Sequence, residues 1–430
     1  MDLQGQTVLI IQRTGFGAGT SGSAPRLHQL DRLLRMAGAS AVLLRWHCGE
    51  YQILSLSARS PEHMPAPASV GGPSRPESRL PASVRERLAI TLAWRWTTRW
   101  HPFVRRHREA SQLIAQMQPR PSLVWAVSTG GVENLLLAER LGLLQQVRKV
   151  VSFHDPPRTL SFSRFPKSMV KRAVKWSGRV DGLVTTNFDY HRLLEKALKA
   201  PHGHLRPRPP MVFLPLISET QQRPQSCGPD HPTRMGALKL AYAGRLEHRR
   251  GGRSLDPLVA ALLELAIEFP DVTFRLDTCG QGSGHHRLVK RSRNNPPNLG
   301  IRYHGWLPAE EAASLTASAD ISLVAQGIRQ RFQTPNKVVD LIGAKVRIVG
   351  LVPRPSELDR ILSAAPRARA FDPTGTHITE QLVSFLRLIL LGYEAFNDQK
   401  VVIKQLSYSD LSSRLEGFVH NVLHGNKNPR

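Results

Sequence analysis

The sequence predicts an α/β protein made of two doubly wound domains in tandem. Three observations predict it. Short, continuous apolar runs recur along the chain with helical sequence between them, the pattern of parallel strands buried on both faces. The opening segment reads strand, Gly-rich turn, helix, strand, which is a βαβ unit. A polar, Pro-rich stretch at residues 218–235 then separates this series from a second one that starts at LKLAYAGRL.

Taken in order, the first strand is TVLIIQ (residues 7–12), ending in RTGFGAGTSGSAPR. A helix follows with Leu27, Leu30, Leu33, Leu34 and Met36 as its apolar positions, and SAVLLRW (residues 40–46) is the second strand. Residues 55–81, dense in Pro, Ser, Gly and Arg, read as a flexible insertion. Helical sequence resumes at Val84, and candidate strands at 122–128, 149–154, 180–187 and 211–216 complete an N-terminal domain of residues 1–217. Residues 218–236 form the linker. The second domain, 237–390, has strands in LKLAYAGRL, VTFRLDTCG, IRYHGWL, ISLVA and VRIVGL. Residues 391–430 read as helices packing back toward the N-terminal domain. Open sheets of this kind bind ligands beyond the carboxyl ends of their strands, so two facing domains place a site in a cleft.

Composition narrows the partners. The chain has 430 residues, 41% of them hydrophobic, enough for two packed cores. A formal net charge of +26 favours anions: nucleic acid, acidic headgroups or phosphorylated small molecules. The three cysteines, Cys48, Cys227 and Cys279, lie far apart and give neither a metal-ligand spacing nor a disulfide framework. The first residues lack the basic and apolar regions of a signal peptide, and no stretch reaches a membrane span; LVSFLRLILLGYEAF comes nearest, and Arg387 interrupts it. A cytoplasmic protein, able to lie peripherally on the inner face of a membrane, is expected.

Four strand ends in the second half carry candidate chemistry. AYAGRLEHRRGG breaks at Gly244, and Arg245 and Arg250 follow; arginine's planar fork suits phosphate oxygens, although a solvated basic loop reads the same way. DTCGQGSG offers Gly280, Gly282 and Gly284, either for close backbone approach to a ligand or for a plain tight turn. In YHGWLP, Gly305 turns the chain and Trp306 stacks on a base or simply packs. In TPNKVVDLIGAKVRIVG, Thr334 caps a helix, Pro335 suits its first turn, and Asn336 and Lys337 begin it. Asp340 either accepts a ribose diol or pairs with Lys337 at i,i+3.

Together these elements resemble the C-terminal donor domain of retaining glycosyltransferases of the GT-B fold, the group 1 or GT4 family. The resemblance spans most of the chain and is specific from about Leu238 to Leu351. It implies that Gly244, Arg245, Leu246, Arg250 and Gly251 form the diphosphate site, Arg250 standing where lysine is usual. It implies that Asp340 is the second of two family acids and holds the ribose. Eight residues earlier, Phe332 stands where the first glutamate would contact the donor sugar; Gln333 or the 326–334 backbone replaces it on this reading. In the N-terminal half, the loop with Gly15 and Gly17 would face the cleft, and VVSFHDP resembles the family strand whose terminal His, here His154, approaches the sugar and phosphate. A core or loop histidine also explains His154.

The resemblance implies sugar transfer from a nucleoside-diphosphate sugar, with retention and without cofactor or metal, in cell-surface polysaccharide or glycolipid synthesis. Arg245 and Arg250 would stabilise the leaving diphosphate, and the donor's own phosphate would take the acceptor proton. The acceptor is expected to be lipid-linked or a glycan near an anionic membrane, because Trp94, Trp96 and Trp100 lie among seven arginines between Arg85 and Arg108. Arg95 and Arg99 share the apolar side of that segment, and Pro102 bends or ends its helix, so a helix packed on the N-terminal sheet reads equally well. Three competing functions remain: a non-catalytic scaffold, prompted by Phe332; another GT-B enzyme such as a sugar-nucleotide epimerase, which wants more acids and histidines in the cleft than this chain offers; and a nucleic-acid binder. Against the last stands the lack of helix-turn-helix, zinc-finger or RNP-like patterns.

Overall fold

The computed structural model describes residues 3–13, 24–47, 50–55, 102–128, 133–143, 147–153, 179–199, 209–215, 236–247, 252–331, 334–393, 396 and 408–424. The chain divides into two compact units. Unit 1 comprises residues 1–160, 164–216 and 406–430; unit 2 comprises 161–163 and 217–405.

Unit 1 is built on strands β1 (Thr7–Arg13), β2 (Ser40–His47), β3 (Glu50–Ser55), β4 (Leu123–Ser128), β5 (Arg148–Phe153), β6 (Gly182–Thr185) and β7 (Met211–Phe213). Their order in the sheet is β3-β2-β1-β4-β5-β6-β7. All neighbours are parallel except β2 and β3. The sheet's middle is solidly apolar, with Leu9, Ile10, Leu123, Trp125, Val150 and Leu183 at or below 1% exposure. This is why the inner strands read as unbroken hydrophobic runs. Its helices are α1 (Ala24–Met36), α2 (Pro102–Arg105), α3 (His107–Ala115), α4 (Glu133–Arg140) and α5 (Phe188–Lys199).

Several expectations are corrected here. Met36 is exposed, because it falls at the end of α1 beyond the buried Leu27, Leu30, Leu33 and Leu34. Ser55 ends a strand instead of opening the insertion: β3 returns antiparallel to β2, with Trp46 and Tyr51 edge to face at 4.9 Å and Arg45 donating to Gln52. Pro102 opens a described helical turn, the position where its missing N–H costs nothing, and the segment before it, which the sequence expects Pro102 to bend or end, lies outside the described residues. Val104 just after it is buried in the same core cluster as Leu9 and Val124. The rest of the insertion, the tryptophans at 94, 96 and 100, and linker residues 218–235 lie outside the described residues.

Unit 2 carries β8 (Ala237–Ala243), β9 (Thr273–Cys279), β10 (Leu299–Tyr303), β11 (Ile321–Ala325), β12 (Ile348–Leu351) and β13 (Ala368–Phe371). All pairs are parallel, in the order β10-β9-β8-β11-β12-β13. Counted from β8, this is 3-2-1-4-5-6, the doubly wound Rossmann order. The helices are α6 (Asp256–Glu268), α7 (Ser283–Arg291), α8 (Ala309–Ala317), α9 (Asn336–Gly343), α10 (Glu357–Ala364) and α11 (Ile378–Leu390). Leu240, Tyr242, Phe274 and Leu276 meet Leu258, Leu262, Leu382 and Leu386 in one core. Val324, Val338, Ile348, Leu358 and Leu362 form another. The stretch closest to a membrane span is the amphipathic α11, whose Arg387 donates twice to Glu268 at 2.7 and 2.6 Å. Among the described residues no helix is long and apolar enough to cross a membrane.

After unit 2 the chain returns to unit 1 as α12 (Tyr408–His424), which contacts α1, β5 and β7. Phe418 packs edge to face on Trp125 at 6.2 Å.

Candidate functional site

In a sheet of order 3-2-1-4-5-6, the crevice opens where the connections diverge, between the first and fourth strands. In unit 2 these are β8 and β11. The carboxyl end of β8 runs into Gly244, Arg245 and Leu246, and that of β9 into Gly280, Gln281 and Gly282. Backbone hydrogen bonds join the two turns: Gly244 N to Cys279 O at 2.8 Å, Leu246 N to Gln281 O at 3.0 Å. Gly280 N donates to Gly305 O at 2.8 Å, which ties in the end of β10.

The glycines are required by this joint. Gly244, Gly280 and Gly282 have φ of 150°, 123° and 115°, where side-chain-bearing residues are strained. A Cβ at Gly280 would sit 2.1 Å from the Gly244 carbonyl oxygen, and one at Gly282 would sit 1.9 Å from that of Leu246. The close approach at these two positions is between neighbouring turns of the chain. Gly305 (φ 74°) has open space around it, and Trp306 beside it is 55% exposed.

Buried side chains brace the joint from below. His285, on the first turn of α7, meets Gly244 O through Nε2 at 2.9 Å and stacks on Tyr303 at 4.7 Å. Burial lowers its pKa, so the ring is neutral; bonding a carbonyl then requires the proton on Nε2. Tyr303 donates to Gly280 O at 2.7 Å, and Tyr242 to Arg245 O at 2.9 Å. Asp277, fully buried on β9, holds Arg275 at 2.7 Å and His304 at 2.8 Å. Burial alone would raise its pKa, but the hydrogen bonds from His304 and Arg275 outweigh that and hold it below the ordinary range.

The sequence candidates fall into three groups. Gly244, Arg245, Gly280, Gly282, Gly305 and Trp306 are brought to the carboxyl ends of β8, β9 and β10. The Arg245 side chain is half exposed and pairs with Glu247 at 3.2 Å. In the second group, α9 begins after β11. Pro335, extended at ψ 131°, takes the cap position, so the helix starts at Asn336 and Thr334 lies one residue too early to cap it. Pro335 itself brings no side-chain cap. Asp340 is exposed on α9. Lys337 turns inward: its ammonium donates to Ala243 O and lies 4.0 Å from the centre of the Tyr242 ring. The i,i+3 alternative for Lys337 gives way to this contact with β8. Burial, then the charge of Arg253, drop the Lys337 pKa to about 7. The third group, Gly15, Gly17, His154 and Arg250, lies outside the described residues, as do Phe332 and Gln333; so does the side chain of Asn336.

Sequence reasoning missed Arg253, His285 and the two tyrosines. Arg253 extends the basic run after Gly244 and donates to Gln330 at 2.5 Å, joining the β8 turn to the β11 loop. Its signal was present in HRRGGR. His285 follows the Gly-rich turn directly. A separate cavity of about 480 Å³, lined by His286, Val289, Lys290, Ile301, Arg302 and Tyr303, lies between α7 and edge strand β10, away from the β8–β11 crevice. Among the described residues no group of three or more His, Cys, Asp or Glu is placed to hold a metal.

The architecture is that of the GT-B class, two Rossmann-like domains in tandem, and solved glycosyltransferases of this class are its structural neighbours. The N-terminal domain of Candida albicans trehalose-6-phosphate phosphatase matches with a TM-score of 0.57 at 13% identity, over 98% of this chain and 97% of that one. The α,α-trehalose-phosphate synthase (UDP-forming) from Burkholderia xenovorans, in complex with glucose-6-phosphate, matches at 0.57 and 12% identity, over 97% and 100%. The pneumococcal O-GlcNAc transferase GtfA, in complex with UDP and GlcNAc, gives 0.46 at 13% identity over 74% of this chain, which spans only 60% of that enzyme's length. No family model matches the sequence, and no curated protein does. At these identities the likeness is one of fold.

Proposed function

We propose that this protein is a glycosyltransferase that moves a sugar from a nucleoside-diphosphate sugar to a lipid-linked or glycan acceptor. The observation that carries the reading is the joint at the carboxyl ends of β8, β9 and β10. It sets Gly244 and Arg245 on the β8 side of the topological switch point of a Rossmann sheet, where such folds bind nucleotides, and bonds the Gly-rich turn after β9 to them. The whole-chain likeness to a UDP-forming synthase supports the same reading and puts UDP-sugars first among donors.

Each residue then has a role. Arg245 and Arg250 neutralise the charge that develops on the departing diphosphate, a contribution that needs donors held in place before reaction. Gly244 and Gly280 shape the backbone that meets the phosphates, and the first turn of α9 adds the partial positive charge of a helix N-terminus. Asp340 accepts the ribose diol, Trp306 and Gly305 border the base, and His154, Gly15 and Gly17 keep the sugar-binding role that the GT4 resemblance implies. On the retaining, GT4-like reading the donor phosphate itself takes the acceptor proton, and neither a protein base nor a metal is required. The setting is the cytoplasmic face of a membrane, in polysaccharide or glycolipid synthesis.

The test is incubation with UDP-, GDP- and ADP-sugars, reading release of the nucleoside diphosphate with and without EDTA. Release from one donor class is expected. Arg245→Ala should slow it by about 10²–10³, on the order of 2–4 kcal/mol of transition-state stabilisation, with the circular dichroism spectrum unchanged. An undiminished rate in the folded variant refutes the assignment of Arg245. A chain that binds nucleoside diphosphate yet turns over no donor is the non-catalytic scaffold.

A further inference from the structure

Lys337 belongs to α9 in sequence but to the end of β8 in contact. Its ammonium donates to Ala243 O, lies over the Tyr242 ring, and would be 3.0 Å from a Cβ placed on Gly244. An ammonium carries three donors. This one is spent on the last carbonyl of the strand before the Gly244–Leu246 turn, and His285 holds the next carbonyl from the other side. Two consecutive carbonyls at the switch point are thus gripped by side chains from two different helices.

We propose that Lys337 is a positioning residue. It clamps the carboxyl end of β8, and with it the turn bearing Arg245, in the form that receives a diphosphate. The inference rests on the proposed nucleotide-sugar function and deepens it. Among the described residues, the groups that face Lys337 are Arg253 from the loop after β8, Cys279 at the end of β9, Tyr242 on β8 and His285 on α7. None of them brings a resident negative charge at neutral pH: burial raises the Cys279 thiol, Tyr242 is pushed up to about 12, and Arg253 repels the ammonium. A lysine so placed loses its proton near pH 7, far below its free value. A diphosphate docking on the adjacent turn supplies the missing counter-charge and restores the charged form.

The sign follows directly. Below pH 7 Lys337 is already an ammonium, and binding needs no extra proton. Above pH 7 it is neutral in the free protein, and binding draws a proton from solvent, so affinity falls by up to tenfold per pH unit.

Two measurements on the full chain test this. In the first, amide exchange without ligand is compared for wild type, Lys337→Met and Lys337→Arg. Exchange at Gly244 and Leu246 is expected to quicken at least tenfold in Lys337→Met; unchanged exchange overturns the clamp. In the second, UDP, GDP and ADP are titrated calorimetrically at pH 6 and pH 8, in buffers of different ionisation enthalpy. Wild type should take up about one proton more than Lys337→Met at pH 8 and no more at pH 6. Lys337→Arg, permanently charged, should bind without that uptake. Nucleotide binding with equal proton uptake in wild type and Lys337→Met overturns the proton-linked role. If no nucleotide binds wild type at either pH, the proposed function fails instead, while the exchange data still decide whether Lys337 holds the turn.

Discussion

At the scale of single residues, Gly280 is the most constrained position of the candidate site. Its φ of 123° and the Gly244 oxygen at 2.1 Å from any Cβ leave no room for alanine. Gly280→Ala is expected to cost about 3 kcal/mol, from backbone strain and the forced separation of two turns. Chemical denaturation of wild type and variant checks the figure, and a loss below about 1 kcal/mol would mean the joint yields easily. The glycine itself was legible in the sequence, since a Gly-rich turn after a strand is a local signal. Its partner was not, because the Gly244 carbonyl belongs to a strand end 36 residues earlier. Lys337 shows the same limit. Its place in a PNK helix start suggests a ligand contact, whereas its acceptor, Ala243, lies 94 residues away in sequence.

At the scale of elements, the inner strands of both sheets could be read directly, because burial on both faces leaves an unbroken apolar run. β3 and β13 escaped for opposite reasons. β3 is the one antiparallel strand among the described pairs and mixes Tyr51, Ile53 and Leu54 with Glu50, Gln52 and Ser55, just before a Pro-rich stretch. β13 is four residues long, with Arg369 in its middle. The docking of α12 has its own sequence requirement. A Cβ at Gly182 on β6 would lie 2.6 Å from a Phe418 ring carbon and 2.7 Å from a Val422 methyl, so β6 needs glycine where the helix crosses. Gly182→Val should destabilise unit 1 by about 2–3 kcal/mol through overpacking. Trp125 fluorescence reports it, because Phe418 lies against that ring. A variant as stable as wild type would show that the helix shifts without cost.

At the scale of the whole molecule, charge is the dominant property. A formal +26 on 430 residues creates a long-range attraction for anionic surfaces that ionic strength weakens. Co-sedimentation with vesicles of anionic lipid is expected at low salt and should fall at least several-fold at high salt or with neutral lipid. Retention that ignores salt would point to apolar insertion, and no retention at low salt would remove the membrane-bound acceptor from the proposal. The two-domain fold was legible from the repeat of strand-and-helix series around the polar stretch before β8.

The return of α12 to unit 1 sets an order of events during synthesis. β5, β6 and β7 are complete by Phe213, but the helix that covers Trp125 and Gly182 begins only at Tyr408. Unit 2, whose described strands and helices all lie between Ala237 and Leu390, emerges in the interval. At ribosomal speeds of 5–20 residues per second that interval lasts roughly 10–40 s. For that time the strip of the first domain that α12 covers lacks its helix, while the second domain is free to fold first.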